Sequence, residues 1–270
     1  MQLMTKKSLI RESGCKIVNL AILQARMTST RLPGKVLKSI NNQPMLLFQI
    51  KRIMKSTKID KLIVATTIEK EDDIIVELCE KNNISFFRGS LENVLDRFYQ
   101  AALKYNPENI IRLTGDCPLI DPEIIDKVIT QHILNGNDYT SNCITPTYPD
   151  GMDVEVLTFE TLKKLIINAD RQSHREHVTL YINENKDKFK MENVFNTEDL
   201  SDIRLTVDEA EDLQLIRIIY SEMKYRDDFN LDDVIRLLRK RGNLLEINKF
   251  YKRNEGLETS LKNETTERRC

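Results

Sequence analysis

Four short apolar runs, each separated from the next by an amphipathic segment, constrain this fold more than any other feature. The runs "IVNLAILQAR", "KLIVATT", "ISFFRG" and "NIIRLTGDCPLI" are nearly continuous in apolar residues, as expected of strands buried on both faces. Between them stand "QPMLLFQIKRIMKS", with Pro44 near its first turn, and "EDDIIVELCEKN", whose leading acids suit a helix dipole. "LENVLDRFYQAALKY" follows, with Leu91, Val94, Leu95, Phe98 and Ala102 on one stripe and Ser90 placed to cap it. "DPEIIDKVITQHILN" is a fourth helix, with Pro122 at its start. Strands alternating with helices imply a parallel sheet with right-handed crossovers, and ligands in such sheets sit outside the carboxyl ends of the strands.

The alternation loosens after Asn135. "DYTSNCITPTYPDGMDVEVLTF" reads as strand, loop, strand, with Pro146, Pro149 and Gly151 marking the loop. A long helical region is expected from about Glu160 to Asn185, and "DIRLTVDEAEDLQLIRIIYSEM" reads as a strand running into a helix. The division that follows is an N-terminal extension over 1–16, one domain over 17–251 with an arm at about 137–195, and a polar tail over 252–270. That tail has no aromatic residue and is expected to be disordered or loosely docked.

Lys plus Arg number 41 against 42 for Asp plus Glu, a balance that argues against a dedicated nucleic-acid binder. The charges are nevertheless segregated. No acid occurs between Glu12 and Asp60, while Lys16, Arg26, Arg31, Lys35, Lys38, Lys51, Arg52, Lys55 and Lys58 are all basic. Such a field favours an anionic ligand. The five cysteines, at 15, 79, 117, 143 and 270, form no CxxC pair, so reduced thiols and a cytoplasmic location are expected. The first residues lack the apolar core of a signal peptide, and no run approaches the roughly 20 apolar residues of a membrane span.

Three polar segments fall just after expected strands and could share one rim: 26–35, 114–118 and 206–212. In "LQARMTSTRLPGKVL" the Gly, Ser and Thr can bring backbone N–H groups and hydroxyls to phosphate oxygens while Arg31 and Lys35 offset charge. GxxxxGK[ST] is absent, so this is no Walker A loop, and an exposed basic loop is the plainer alternative. In "LTGDCPLIDP" Asp116 would stand at a strand tip as a ligand for Mg²⁺, or else merely cap a turn. "RLTVDEAEDL" offers Asp208 in an equivalent place, whereas Glu209, Glu211 and Asp212 suit a helix N-terminus. Two carboxylates and a basic loop are the parts that hold a metal–nucleoside triphosphate.

"QARMTSTRLPGKVL" resembles the N-terminal signature of the cytidylyltransferases that activate 3-deoxy-manno-octulosonate and acylneuraminate sugars. "SLENVLDRFYQAA", "RLTGDCPLIDPEIID", "YPDGMDVEVL", "REHVTLYI" and "RLTVDEAEDLQLI" are similar, in order and spacing, to the spore coat polysaccharide biosynthesis protein F branch, over about residues 17–224. The resemblance implies a Rossmann-like (GT-A-like) α/β nucleotidyltransferase fold, with a mostly parallel sheet flanked by helices and a dimerisation arm in the second half. It implies that Arg26, Ser29, Arg31 and Lys35 contact the triphosphate of CTP, that Arg97 lies near the nucleotide, and that Asp116 and Asp208 ligate magnesium. The octulosonate enzymes carry Gln-Gly-Asp-Glu-Pro where this chain has Thr114-Gly115-Asp116-Cys117-Pro118, which leaves the acceptor open.

The expected activity is a Mg²⁺-dependent transfer of CMP to a sugar acid or related acceptor, in a homodimer, with Arg31, Lys35, Asp116 and Asp208 as catalytic residues. For the acceptor, "YPDGMDVEV" offers Asp150, Asp153 and Glu155, the last two on one strand face, or simply an exposed polar face. His174 and His177 lie three apart, and hydrogen bonding to sugar hydroxyls or to a second copy suits them better than zinc. A keto-acid sugar would need a cation, for which Arg175 or Arg204 is the candidate. A metal-dependent glycosyltransferase is one rival, though the usual Asp-x-Asp is broken by Pro118. A non-catalytic nucleotide-binding protein of a polysaccharide locus is the other, and retention of Asp116, Asp208 and Lys35 argues against it.

Overall fold

The apolar runs do form strands, and their order sets the architecture. The structure, a computed structural model, describes residues 18–253, 255–258, 260 and 261. The expected N-terminal extension over 1–16, Cys15, Cys270 and most of the polar tail lie outside the described residues. The central sheet uses β1 (Asn19–Gln24), β4 (Lys61–Thr67), β5 (Ser85–Gly89), β6 (Asn109–Thr114), β7 (Tyr139–Ser141), β8 (Glu155–Thr158) and β9 (Met191–Asn193). Two short strands, β2 (Ser39–Ile40) and β3 (Gln43–Pro44), form a separate hairpin. The strand order is β5-β4-β1-β6-β8-β7-β9, and only β8 runs against its neighbours.

Alternation along β1 divides the core. Ala21 and Leu23 face one layer, built largely on α1 (Met45–Ile53), α2 (Asp73–Lys81), α4 (Pro122–Asn135), α8 (Ala210–Glu222) and α9 (Leu231–Lys240). Leu20 and Ile22 face the other, built on α3 (Val94–Leu103), α5 (Phe159–Asn168), α6 (Gln172–Glu176) and α7 (Leu180–Glu184). Helices on both faces bury both sides of the sheet, which is why its strands carry so few polar residues.

The stretch at 137–195 is built into the same sheet: β7, β8 and β9 hydrogen-bond into it, and α5 to α7 cover it. The helical region expected from about Glu160 to Asn185 consists of three short helices, because Ala169 turns to an extended conformation and His177 ends the second. Two expectations need correction. Ser90 is not the cap of α3. Asn93 is, its side chain accepting from the Asp96 N–H at 3.0 Å, while Ser90 accepts from Asn93 one turn earlier. Finally, 203–207 is no strand of the sheet, since its one bridge is the pairing of Asp150 with Arg204.

Candidate active site

The three polar segments meet at the carboxyl end of β1 and β6, each for a local reason. After β1 the chain turns through the basic loop, where the Met27 N–H donates to Asp72 at 2.6 Å and the Gly34 N–H donates to Met27 O at 3.0 Å. Gly34 closes this turn at φ 68°, a left-handed conformation that glycine adopts without steric cost. Asp72, fully buried, also accepts from the Thr66 and Thr67 hydroxyls and the Thr67 N–H, which ties the loop to the end of β4. Its sequence context, a run of acids opening a helix, pointed to the helix dipole and gave no sign of this anchoring.

At the end of β6, the Gly115 N–H donates to Gln24 O at 2.8 Å. A Cβ at Gly115 would stand 2.9 Å from that same oxygen, so only glycine lets the two strand ends approach so closely. The next residue does the joining. Asp116 O accepts from the Val207 N–H at 2.8 Å and the Thr206 hydroxyl at 3.2 Å, which draws Asp208 alongside Asp116 without a sheet strand. Asp212 then fixes the turn by accepting from the Asp208 and Glu209 N–H groups, each at 2.9 Å.

Lys35 sits between the two carboxylates, its Nζ 3.2 Å from Asp116 Oδ2 and 2.8 Å from Asp208 Oδ1. Burial alone would lower the Lys35 ammonium, yet the two aspartates outweigh it and raise its proton affinity. Burial likewise would raise Asp116, but Lys35 and hydrogen bonds from Thr114, Lys35 and Cys117 hold it down at about 2. Asp116 therefore presents charge at neutral pH to a cation standing between the two aspartates. Arg31 reaches the same cluster, its Nη2 2.8 Å from Asp208.

Around this cluster lies a cleft of about 760 Å³, with Arg26, Ser29, Arg31 and Lys35 on one wall and Thr114, Asp116 and Asp208 on another. Among the described residues no group of three or more His, Cys, Asp or Glu side chains is arranged to hold a metal. A pair of carboxylates that already share one cation is a donor set suited to Mg²⁺, which takes one or two carboxylates and completes its shell with phosphate and water.

Other expected residues stand elsewhere. Arg97 does not line the cleft; it is fully buried, its Nη1 donating to Ser90 O at 2.5 Å. Burial and repulsion from Arg26 lower its guanidinium to about 10 despite the attraction of Asp72. Arg175 is exposed. Arg204 is buried and wholly engaged, with Asp212 at 2.9 Å, Asp150 at 3.1 Å and Asp208 at 3.3 Å, so neither it nor Asp150 is available to an acceptor. His174 and His177 also part company. His174 meets Glu184 at 2.9 Å, while His177 lines a second, smaller cavity with Asp153 and Glu155.

The polar tail was expected to be loose, yet its described part crosses both cavities. Arg253 pairs with Asp153, Glu255 Oε2 stands 3.3 Å from Arg31, and Ser260 donates to Glu176 at 3.1 Å. Its charges find complementary charges around the rim rather than an apolar core, which composition alone does not foretell. Arg112, Tyr139, Thr179 and Arg253 are among the further lining residues that sequence reasoning missed. Arg112 left a trace, since a cation inside the apolar run "NIIRLT" requires a buried partner; Glu155 is that partner.

The cytidylyltransferase family model matches residues 20–255. Spore coat polysaccharide biosynthesis protein SpsF of Bacillus subtilis is 37% identical over 228 residues, covering 82% of this chain and 94% of that protein. The structure of a cytidylyltransferase from Leptospira borgpetersenii superposes with a TM-score of 0.82 at 35% identity, over 87% of this chain and all of that one. CMP:2-keto-3-deoxy-manno-octonic acid synthetase complexed with CTP shares the fold, with a TM-score of 0.58 at 15% identity, over 76% of this chain and 99% of that one.

Proposed function

The chain belongs to the cytidylyltransferase family, and from that premise we propose that it transfers CMP from CTP to a hydroxyl of a sugar or sugar-acid acceptor. The observation that carries this reading is the Lys35 ammonium held between Asp116 and Asp208 beside the basic loop. The acceptor oxygen forms a bond to the α-phosphorus, the bond from that phosphorus to the bridging oxygen of the β-phosphate breaks, pyrophosphate leaves, and the hydroxyl proton passes to solvent. Asp116 and Asp208 would hold magnesium, which when bound supplies charge neutralisation on the phosphate oxygens and orients the leaving group.

The protein's own contribution is positioning and fixed charge. Arg31 and Lys35 offset the negative charge of the β- and γ-phosphates, and Lys35 turns from the aspartates towards a phosphate oxygen as the nucleotide enters. Arg26 and Ser29, on the cleft wall, add a cation and a hydroxyl along the triphosphate. Arg97, buried behind the wall, adds positive potential rather than contact. The family resemblance also implies a homodimer in the cytoplasm, which sedimentation of the purified chain tests for assembly.

Pyrophosphate release measured with each of the four ribonucleoside triphosphates, against sugars, sugar acids and phosphorylated polyols, tests the reading. CTP alone should support release, and Asp116→Ala should abolish it. Near-normal turnover in that variant, or equal rates with all four nucleotides, would sink it.

A further inference from the structure

Past Thr114, which belongs to both walls, the nucleotide cleft adjoins the second cavity, of about 210 Å³. Two consecutive residues mark the same joint a second time: Glu176 lines the cleft and His177 lines the cavity. Helix α6 ends here, with the His177 N–H donating to Ser173 O at 2.9 Å, which fixes the ring at this joint. An acceptor held in the cavity must pass its hydroxyl across the joint to reach an α-phosphorus held in the cleft.

His177 is free to take a proton. Its Nε2 is shielded from bulk water and makes no hydrogen bond among the described residues. Glu176 Oε2, at 3.8 Å, is beyond hydrogen-bond reach. Burial lowers the proton affinity of the ring; Glu176 opposes this, and Arg112 and Arg26 add to it. One of those guanidiniums belongs to the cavity and the other to the cleft. The ring is therefore neutral near pH 7 and able to accept. Two carboxylates face the same cavity. Burial would raise Glu155, but Arg112 and the Thr179 and Tyr139 hydroxyls, the latter two at 2.6 Å, hold it below the usual carboxylate range. Asp153, raised by burial beyond what Arg253 offsets, is the rival base once its pair with Arg253 opens.

We propose, building on the cytidyl-transfer reading, that His177 is the general base of the transfer, taking the proton of the acceptor hydroxyl through Nε2 at the joint of the two cavities. The acceptor O–H gives its proton to Nε2 as a lone pair on that oxygen forms the bond to the α-phosphorus. The electron pair of the broken bond stays on the bridging oxygen, and pyrophosphate leaves. The imidazolium then releases its proton to solvent, a step that repulsion from Arg26 and Arg112 favours.

The test uses the full chain with CTP and Mg²⁺. The acceptor is whichever of 3-deoxy-manno-octulosonate, N-acetylneuraminate, glucuronate and glucitol phosphate gives the fastest pyrophosphate release. His177→Ala should lower kcat about 100-fold or more, with CTP affinity by calorimetry unchanged. Imidazole added to that variant should restore at least about tenfold of the lost rate, whereas triazole, alike in size and far less basic, should not. His177→Gln, which keeps the bulk and can still hydrogen-bond, should show the loss without rescue. Turnover by His177→Gln within about threefold of the unaltered chain overturns the proposal, as does equal rescue by the two added bases. A collapse of kcat in Asp153→Asn while His177→Gln stays active gives the proton to Asp153 and overturns it too. These outcomes leave the transfer reading standing. No release from the unaltered chain with any of the four acceptors, while CTP binds, strikes that reading, and the proposal falls with it.

Discussion

Replacing Lys35 by Met keeps the aliphatic stem and removes the ammonium that the two aspartates share. Each contact, at 2.8 and 3.2 Å, has a Coulomb energy of about 5 kcal/mol at an effective dielectric constant of about 20, most of it offset by the cost of desolvating the ammonium. The two carboxylates fare differently. Asp208 keeps Arg31 at 2.8 Å and Arg204 at 3.3 Å, whereas among the described residues Lys35 is the cation paired with Asp116. Breaking a buried pair costs about 3–5 kcal/mol, and the partners left to Asp208 place Lys35→Met at about 2–3 kcal/mol. Asp116 would also titrate upwards from about 2. Urea unfolding of both proteins, in EDTA and again in Mg²⁺, checks the argument. The variant should lose that stability in EDTA and regain most of it with Mg²⁺, because a divalent ion between the aspartates takes the place of the ammonium. A loss under about 1 kcal/mol, or no recovery with Mg²⁺, refutes the view that these carboxylates form a cation site.

Burial lowers His132 from 6.5 to about 4, against the pull of Asp138 and Glu192. Unfolding exposes it to protonation, so its contribution is complete above pH 6.5 and is lost as pH falls towards 4. The loss is about 3 kcal/mol; chemical denaturation across that window should show it, and His132→Gln should flatten the slope. Glu255 competes with phosphate for Arg31 across a half-exposed contact, so Glu255→Gln should tighten CTP binding about two- to fivefold at low salt, and less near 0.1 M salt. Calorimetric affinities of the two proteins decide this. Asp72→Asn cannot satisfy all the donors that converge on Asp72, and should cost about 2 kcal/mol and weaken CTP binding with it; an unchanged affinity would show that the loop holds its shape without this anchor.

The sheet was legible because burial on both faces writes itself into β1, β4 and β6 as apolar runs that need no distant partner to be recognised. Lys35 and Asp116 were legible for a related reason: both lie just beyond such a run, where a parallel sheet gathers its loops. Asp208 reaches the site by a route that local pattern does not encode, the donation from Val207 and Thr206 to Asp116 O across some ninety residues of chain. The strand expected there was unnecessary to the outcome. Arg204 and Asp150 misled because a charged residue near a site looks available until its partners are known, and three carboxylates already hold that guanidinium. The tail misled in the opposite direction. Polar composition signals the absence of an apolar anchor, but Arg253 and Glu255 dock through ion pairs with residues far away in sequence. Asn93, three residues before Asp96, was a readable cap overshadowed by Ser90.

Calorimetric titration of CTP in the presence of Mg²⁺ into the unaltered chain and into Asp116→Asn tests the central claim most directly, since it needs no acceptor. Saturable binding of one CTP per chain is predicted, weakened at least about tenfold in the variant and lost from the unaltered chain when EDTA removes the metal. Equal affinity in the two proteins, or binding indifferent to EDTA, would contradict the assignment of Asp116 and Asp208 to a metal–triphosphate site.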